Sequence, residues 1–143
     1  GYVRQDELRF KRIWLSLLDF RIADEELTRE MSDRFLEALP TRTQLFPHAI
    51  ESLKYLQEKG YELHLITNGF EKTQHSKLKH SGLDTYFREV ITSECSNCLK
   101  PQKEIFEFAL NRCCTKAEEC IMIGDSLEVD IEGARNAGIG CHV

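Results

Sequence analysis

Gly124-Asp125-Ser126-Leu127-Glu128-Val129-Asp130 places two carboxylates, Asp125 and Asp130, just beyond a short apolar run. The first falls where a strand would end and the second in the opening turn of the next helix. Carboxylates converging at such a point are hard oxygen ligands of the kind magnesium selects. The same pair also suits a structural task, with Asp125 capping the helix and Asp130 offsetting its dipole. Thr67-Asn68-Gly69 offers a hydroxyl and backbone N–H groups at a strand-to-helix turn. Such a turn can hold phosphate oxygens against a helix N-terminus, although Asn-Gly is also a common turn pair with no ligand. Lys100 precedes Pro101, which biases it towards extended backbone pointing away from the coming helix. A lysine there can neutralise phosphate as a point cation, or it can be a solvated surface side chain.

The elements that would position these residues alternate. Helix 48–59 is closed by Gly60, and a strand over 61–67 follows through Leu63, Leu65 and Ile66. Asn68-Gly69 then turns into helix 70–81, closed by Gly82. A short strand near 89–92 leads through a polar loop to Lys100-Pro101. Helix 102–114 carries Ile105, Phe106, Ala109, Leu110 and Cys113 on one face. Thr115-Lys116-Ala117-Glu118 reads as a capping box. The nearly all-apolar strand 120–124 has the composition of a strand covered on both faces. A helix near 128–137 ends at Gly138, and 139–143 starts another strand. Alternation of this kind defines an α/β fold with a doubly wound, Rossmann-like parallel sheet. Ligands of such sheets bind beyond the carboxyl ends of the strands, which is where Thr67, Lys100 and Asp125 fall.

Before Pro47 the pattern is helical. Phe10, Ile13, Trp14, Leu17 and Leu18 share one face of a first helix. Leu27, Met31, Phe35 and Leu39 recur every four residues on a second, with Asp24 as N-cap and Pro40 as its stop. Both stripes are expected to be packing surfaces, Phe10 and Trp14 included.

The order strand–Thr-Asn, then Lys-Pro, then strand–Gly-Asp-Ser-x-x-x-Asp resembles the haloacid dehalogenase-like (HAD) superfamily. Leu63–Asn68 resembles its second motif, Lys100-Pro101 its third and Gly124–Asp130 its fourth. Phe46-Pro47-His48-Ala49 resembles the usual return from cap to core. Ile66-Thr67-Asn68-Gly69-Phe70 and Lys100-Pro101-x-x-x-Ile105-Phe106 look most like the pyrimidine 5′-nucleotidase branch. The resemblance implies a helical cap over residues 1–45 and a Rossmann-like core over 46–143, both incomplete at the N-terminus. It further implies phosphomonoester hydrolysis through an aspartyl-phosphate, with Mg2+ and the lysine offsetting charge on the transferring group. Carried over by position, Asp125 would be a direct magnesium ligand and Asp130 would support that site through water or Lys100. Thr67, the Asn68 amide and Gly69 would bind substrate phosphate, and Lys100 would bridge phosphate and nucleophile. The substrate would be a nucleoside monophosphate or another small phosphorylated metabolite.

One departure is large. The family's first motif, Asp-x-Asp-x-Thr, supplies the nucleophile, and no Asp-x-Asp occurs in the 143 residues. Its strand would lie between those ending at Thr67 and Gly124, so its removal should split the sheet. The expectation is a trimmed chain, without a start methionine, that does not turn over substrate. Alternative readings are a haloacid dehalogenase of the same fold, which needs no metal, a non-catalytic HAD-like binding module, and a receiver-like doubly wound domain.

Composition narrows the field. Hydrophobic residues make up 41%, charged residues 30%, and the formal net charge is -5 with both signs mixed along the chain. There is no basic stretch suited to nucleic acid or a membrane surface. No apolar run reaches the ~18 residues of a membrane span, and the polar start is not a signal peptide. Six cysteines, at 95, 98, 113, 114, 120 and 141, are expected to be free thiols in a reducing cytoplasm. Adjacent Cys113-Cys114 does not complete a zinc knuckle with Cys95-x-x-Cys98.

Overall fold

The computed structural model describes residues 5–142, and the chain divides into two units, one ending at Arg42 and the other beginning at Thr43. The first holds α1 (Gln5–Asp19) and α2 (Glu25–Ala38), then a 3-10 turn, Leu39–Thr41, at Pro40. Asp24 caps α2, its Oδ1 accepting from the Leu27 N–H at 2.9 Å. The four-residue stripe on α2 is not its buried face. Met31 and Phe35 are 42% and 53% exposed, whereas Thr28 and Ser32 are buried. These short side chains let the α1 and α2 backbones approach closely, and their hydroxyls are satisfied. Thr28 donates to the Asp24 carbonyl at 2.6 Å, and Arg9 Nε donates to Ser32 Oγ at 3.1 Å. On α1, Leu17 is buried but Leu18 is exposed. Phe10 and Trp14 stack on each other with centroids 6.2 Å apart. Among the described residues no helix is long and apolar enough to cross a membrane.

The second unit runs α3 (Ala49–Glu58), β1 (His64–Thr67), α4 (Glu71–Ser81), β2 (Glu89–Thr92), α5 (Ser93–Ser96), α6 (Lys103–Cys113), β3 (Ile121–Ile123), α7 (Glu132–Asn136) and β4 (Gly140–His142). Gly82 ends α4 with φ +68°, the left-handed geometry glycine adopts without a Cβ penalty. Strands β1 and β2 pair in parallel from His64↔Glu89 to Thr67↔Thr92, and β3 and β4 from Ile121↔Gly140 to Ile123↔His142. Among the described residues the pairs are separate two-stranded sheets, the division expected between the strands ending at Thr67 and Gly124. What joins them is a shared core. Ile91, Ile105, Phe106, Ala109, Ala134 and Ile139 are buried together, with Ile66 of the first sheet and Met122 and Cys141 of the second packed against them. The apolar face of α6 supplies Ile105, Phe106 and Ala109, as its periodicity predicts. Burying side chains the size of Ile105 and Phe106 contributes ~1.5–3 kcal/mol each.

Three local expectations are corrected. β3 is not covered on both faces: Ile121 and Ile123 are 61% and 67% exposed, because β3 has only β4 beside it among the described residues. The box after α6 closes on Glu119 instead of Glu118. Glu119 Oε2 accepts from the Lys116 N–H at 3.0 Å and from Thr115 Oγ1 at 3.3 Å, and it starts a 3-10 turn, Ala117–Glu119. The helix expected near 128–137 opens as a π-helical turn, Leu127–Ile131, before α7. There Ser126 O accepts from both Asp130 N at 2.9 Å and Ile131 N at 3.2 Å.

Candidate functional site

Three loops meet beyond the carboxyl ends of the strands. The first follows β1. Thr67 Oγ1 accepts from the Gly69 N–H at 3.0 Å, which tightens the turn. The Gly69 N–H expected to face phosphate is thus committed within the turn. The N-terminus of α4 is occupied too: Glu94 Oε2 accepts from the Glu71 N–H at 2.7 Å. Glu94 was not legible as a cap from sequence, since it lies 23 positions away on α5. Ser93, beside it, donates to the Asn68 carbonyl at 3.1 Å.

The second loop carries Lys100, joined to Pro101 by a cis peptide bond. The Asn68 side chain grips its backbone from both sides. Lys100 N–H donates to Asn68 Oδ1 at 2.7 Å, and Asn68 Nδ2 donates to the Lys100 carbonyl at 3.0 Å. The Asn68 side chain is therefore engaged by the lysine loop, whereas the amide expected to meet phosphate is its backbone N–H.

The third loop follows β3. Asp130, on the π-turn, is buried, and Lys100 Nζ donates to its Oδ1 at 2.5 Å, with only 14% of the lysine and 7% of the aspartate side chain exposed. Its Oδ2 accepts from the Ser126 N–H at 3.2 Å. Ser126 also caps the turn, its Oγ accepting from the Val129 N–H at 3.1 Å. Lys100 is therefore no solvated surface lysine, and Asp130 does more than complement a helix dipole. Two glycines keep the pieces close. A Cβ on Gly124 would lie 2.5 Å from Asp130 Cβ, and one on Gly133 would lie 2.6 Å from the Pro101 carbonyl oxygen and 2.5 Å from Phe106 Cε2. Neither glycine role could be inferred from spacing, because each answers to a residue distant in sequence or turned back upon it.

Asp125 is exposed, with no side-chain hydrogen bond among the described residues. Among those residues no three His, Cys, Asp or Glu side chains gather in a way that could hold a metal ion. The donor set fits one corner of a magnesium ion, which takes one or two protein carboxylates and completes its octahedron with water and phosphate. Asp125 would be that corner. Asp130, with both oxygens engaged, stands behind it as the partner of Lys100.

The arrangement is that of an α/β protein with an acid–lysine cluster at the carboxyl ends of parallel strands. A family model for the haloacid dehalogenase-like hydrolases matches residues 6–138. The chain belongs to that family. It is 34% identical over 141 residues to the HAD-hydrolase YfnB of Bacillus subtilis, which covers 97% of this chain and 58% of YfnB. The crystal structure of magnesium-bound YfnB superposes with a TM-score of 0.85 at 29% identity, covering 97% of this chain and 60% of that one. Glyceraldehyde 3-phosphate phosphatase of Methanothermobacter thermautotrophicus is 42% identical over 94 residues, 66% of this chain and 42% of that protein. The pyrimidine 5′-nucleotidase YjjG of Escherichia coli is 32% identical over 111 residues, 77% of this chain and 49% of that protein. The chain thus spans about half the length of these curated relatives.

Proposed function

We propose that this chain carries the phosphate-side half of a magnesium-dependent phosphomonoester hydrolase acting on small phosphorylated metabolites, nucleoside monophosphates among them. The observation that carries the reading is the buried Lys100–Asp130 pair at the meeting of three strand-end loops. Packing alone does not call for it, since taking two charges out of water is costly. In this reading residues 1–45 are cap and 46–143 core. Lys100 presents a fixed positive charge to phosphate oxygens, and Asp130 holds that charge in place. Thr67 and the Asn68 backbone amide lie at the same edge and contact phosphate. Asp125 is a metal ligand. Magnesium, when bound, withdraws charge from the transferring phosphoryl group. Relatives that act on glyceraldehyde 3-phosphate and on pyrimidine nucleotides support the substrate class. Six free thiols suit a reducing cytoplasm.

In this reading the covalent step draws its nucleophile from an Asp-x-Asp, a motif these 143 residues do not contain. The test is hydrolysis of nucleoside monophosphates and glyceraldehyde 3-phosphate, with magnesium and with chelator. It is run on the 143 residues and on a longer polypeptide that contains them together with an Asp-x-Asp. Turnover is expected only from the longer chain and only with magnesium. Substantial turnover by the 143 residues, or metal-independent turnover by either, would sink the proposal.

A further inference from the structure

Lys100 has its backbone and its side chain fixed by different residues, and the backbone contacts all run to one side chain. Asn68 Oδ1 takes the Lys100 N–H at 2.7 Å while Asn68 Nδ2 gives a hydrogen to the Lys100 carbonyl at 3.0 Å. This is the donor–acceptor pair a neighbouring strand would offer, supplied by one amide. Only an amide can do it, because a carboxylate has no hydrogen to donate and a hydroxyl is a single atom. The clamp is itself anchored by Ser93, which donates to the Asn68 carbonyl at 3.1 Å. The far end of the lysine then reaches Asp130 on a loop from the other sheet.

We infer that the Asn68 side chain is a positioning residue that sets where the Lys100 ammonium lies. The role rests on the reading of Lys100 as the cation facing phosphate, and Asn68 acts through it. Without the clamp, the backbone at Lys100 loses both partners, and the ammonium no longer arrives at Asp130 in a single geometry.

The experiment measures acylation of individual lysines in the folded 143-residue chain by an N-hydroxysuccinimide ester, read by peptide mass spectrometry. Exposed Lys72, Lys79 and Lys103 serve as internal references. In the parent protein Lys100 is expected to react far more slowly than these three. Asn68→Ala, which removes both hydrogen bonds, and Asn68→Asp, which at unchanged volume keeps the acceptor but sets an oxygen against the Lys100 carbonyl, should each raise Lys100 reactivity on the order of tenfold. The reference lysines should not change. Asp130→Asn, which weakens the head contact directly, should raise it as well. A merely structural Asn68 would lower the melting temperature without changing the Lys100 rate relative to its references, and that result would overturn the inference. So would a Lys100 that responds to Asp130→Asn but to neither Asn68 variant. The phosphatase reading is tested separately in the parent chain, by whether inorganic phosphate with magnesium slows Lys100 acylation. Its failure there would leave the clamp standing.

Discussion

Gly133→Ala sets two effects of known sign against each other. Alanine in a helix is favoured over glycine by ~1 kcal/mol. The added methyl, however, would sit 2.6 Å from the Pro101 carbonyl oxygen, 3.0 Å from Pro101 Cα and 2.5 Å from Phe106 Cε2. Two of these atoms are backbone and cannot rotate aside. The third belongs to a ring with no exposed surface. Overpacking of this sort costs ~1–3 kcal/mol, and the immobile neighbours place it at the upper end. The net is a destabilisation of ~1–2 kcal/mol. In a unit of this size each kcal/mol moves the melting temperature by ~4–8 °C, so calorimetry should show a fall of roughly 5–15 °C. Because the methyl presses on Pro101, the Lys100 signals in an NMR spectrum should shift as well. Gly60→Ala is the control. Its φ of +83° strains any side chain, yet nothing lies within 4 Å of the new Cβ, so it should cost ~1–2 kcal/mol and leave Lys100 unmoved. An unchanged or raised melting temperature for Gly133→Ala would mean that helix propensity wins and the contact with Pro101 is slack.

Asp130→Asn leaves a buried ammonium facing one amide oxygen and sets an amide NH2 against the Ser126 N–H. Urea denaturation should show a loss of ~3 kcal/mol, the low end for breaking a buried pair, most of it recovered when Lys100→Met is added. Gly124→Ala should disturb the same pair from the other side, since its Cβ would meet Asp130 Cβ at 2.5 Å and Oδ2 at 2.6 Å. Two-dimensional NMR should show both Lys100 and Asp130 signals displaced, and unmoved signals would refute the contact. Burial, and after it the nearby charge of Glu89, push the Cys113 thiol up to about 11 from its ordinary value of 9.0. At pH 8 iodoacetamide should therefore label exposed Cys95 and Cys114 before Cys113. The unfolded chain ionises this thiol first, so its contribution to stability is complete below pH 9 and is lost as pH rises towards 11. That alkaline decline should be smaller in Cys113→Ala.

The parts of the fold that could be read in the sequence are those fixed by local periodicity. The apolar face of α6 repeats at helical spacing, and Ile105, Phe106 and Ala109 are buried as that spacing requires. Asp24 and Gly82 sit at helix ends whose backbone geometry they satisfy. What failed was burial that depends on partners. Periodicity on α2 pointed to Met31 and Phe35, but close approach to α1 selects the small, hydroxylated face of Thr28 and Ser32 instead. The all-apolar composition of β3 implied two covered faces, and its neighbours in the chain cover fewer. At the site, the residue types and their order were legible. The Asn68–Lys100 clamp was not, because it joins positions 32 residues apart through a side chain whose other common use is a plain turn.

The charges at the site lead to one more expectation. Lys100 keeps its ammonium charge, but Asp130 offsets it from 2.5 Å away, so the pair alone presents little net positive charge to an anion. Asp125 lies between Gly124 and Ser126, both of which abut Asp130. Lys100, Asp130 and Asp125 together thus carry a net charge of about -1, in a chain whose formal charge is -5, a field that repels phosphate. A divalent cation on Asp125 would reverse the local sign. Binding of inorganic phosphate and of magnesium should therefore be positively coupled, each strengthening the other by the same factor, as linkage requires. Couplings of this kind amount to ~1–3 kcal/mol, or about 5–150-fold. Titration calorimetry of phosphate with and without magnesium measures the factor directly. Asp125→Asn should remove the coupling from both sides, with magnesium no longer aiding phosphate and phosphate alone binding somewhat better than to the parent chain. If phosphate bound the parent equally well in chelator and in magnesium, the net negative charge of the cluster would not be governing phosphate binding, and the electrostatic account of the site would fall.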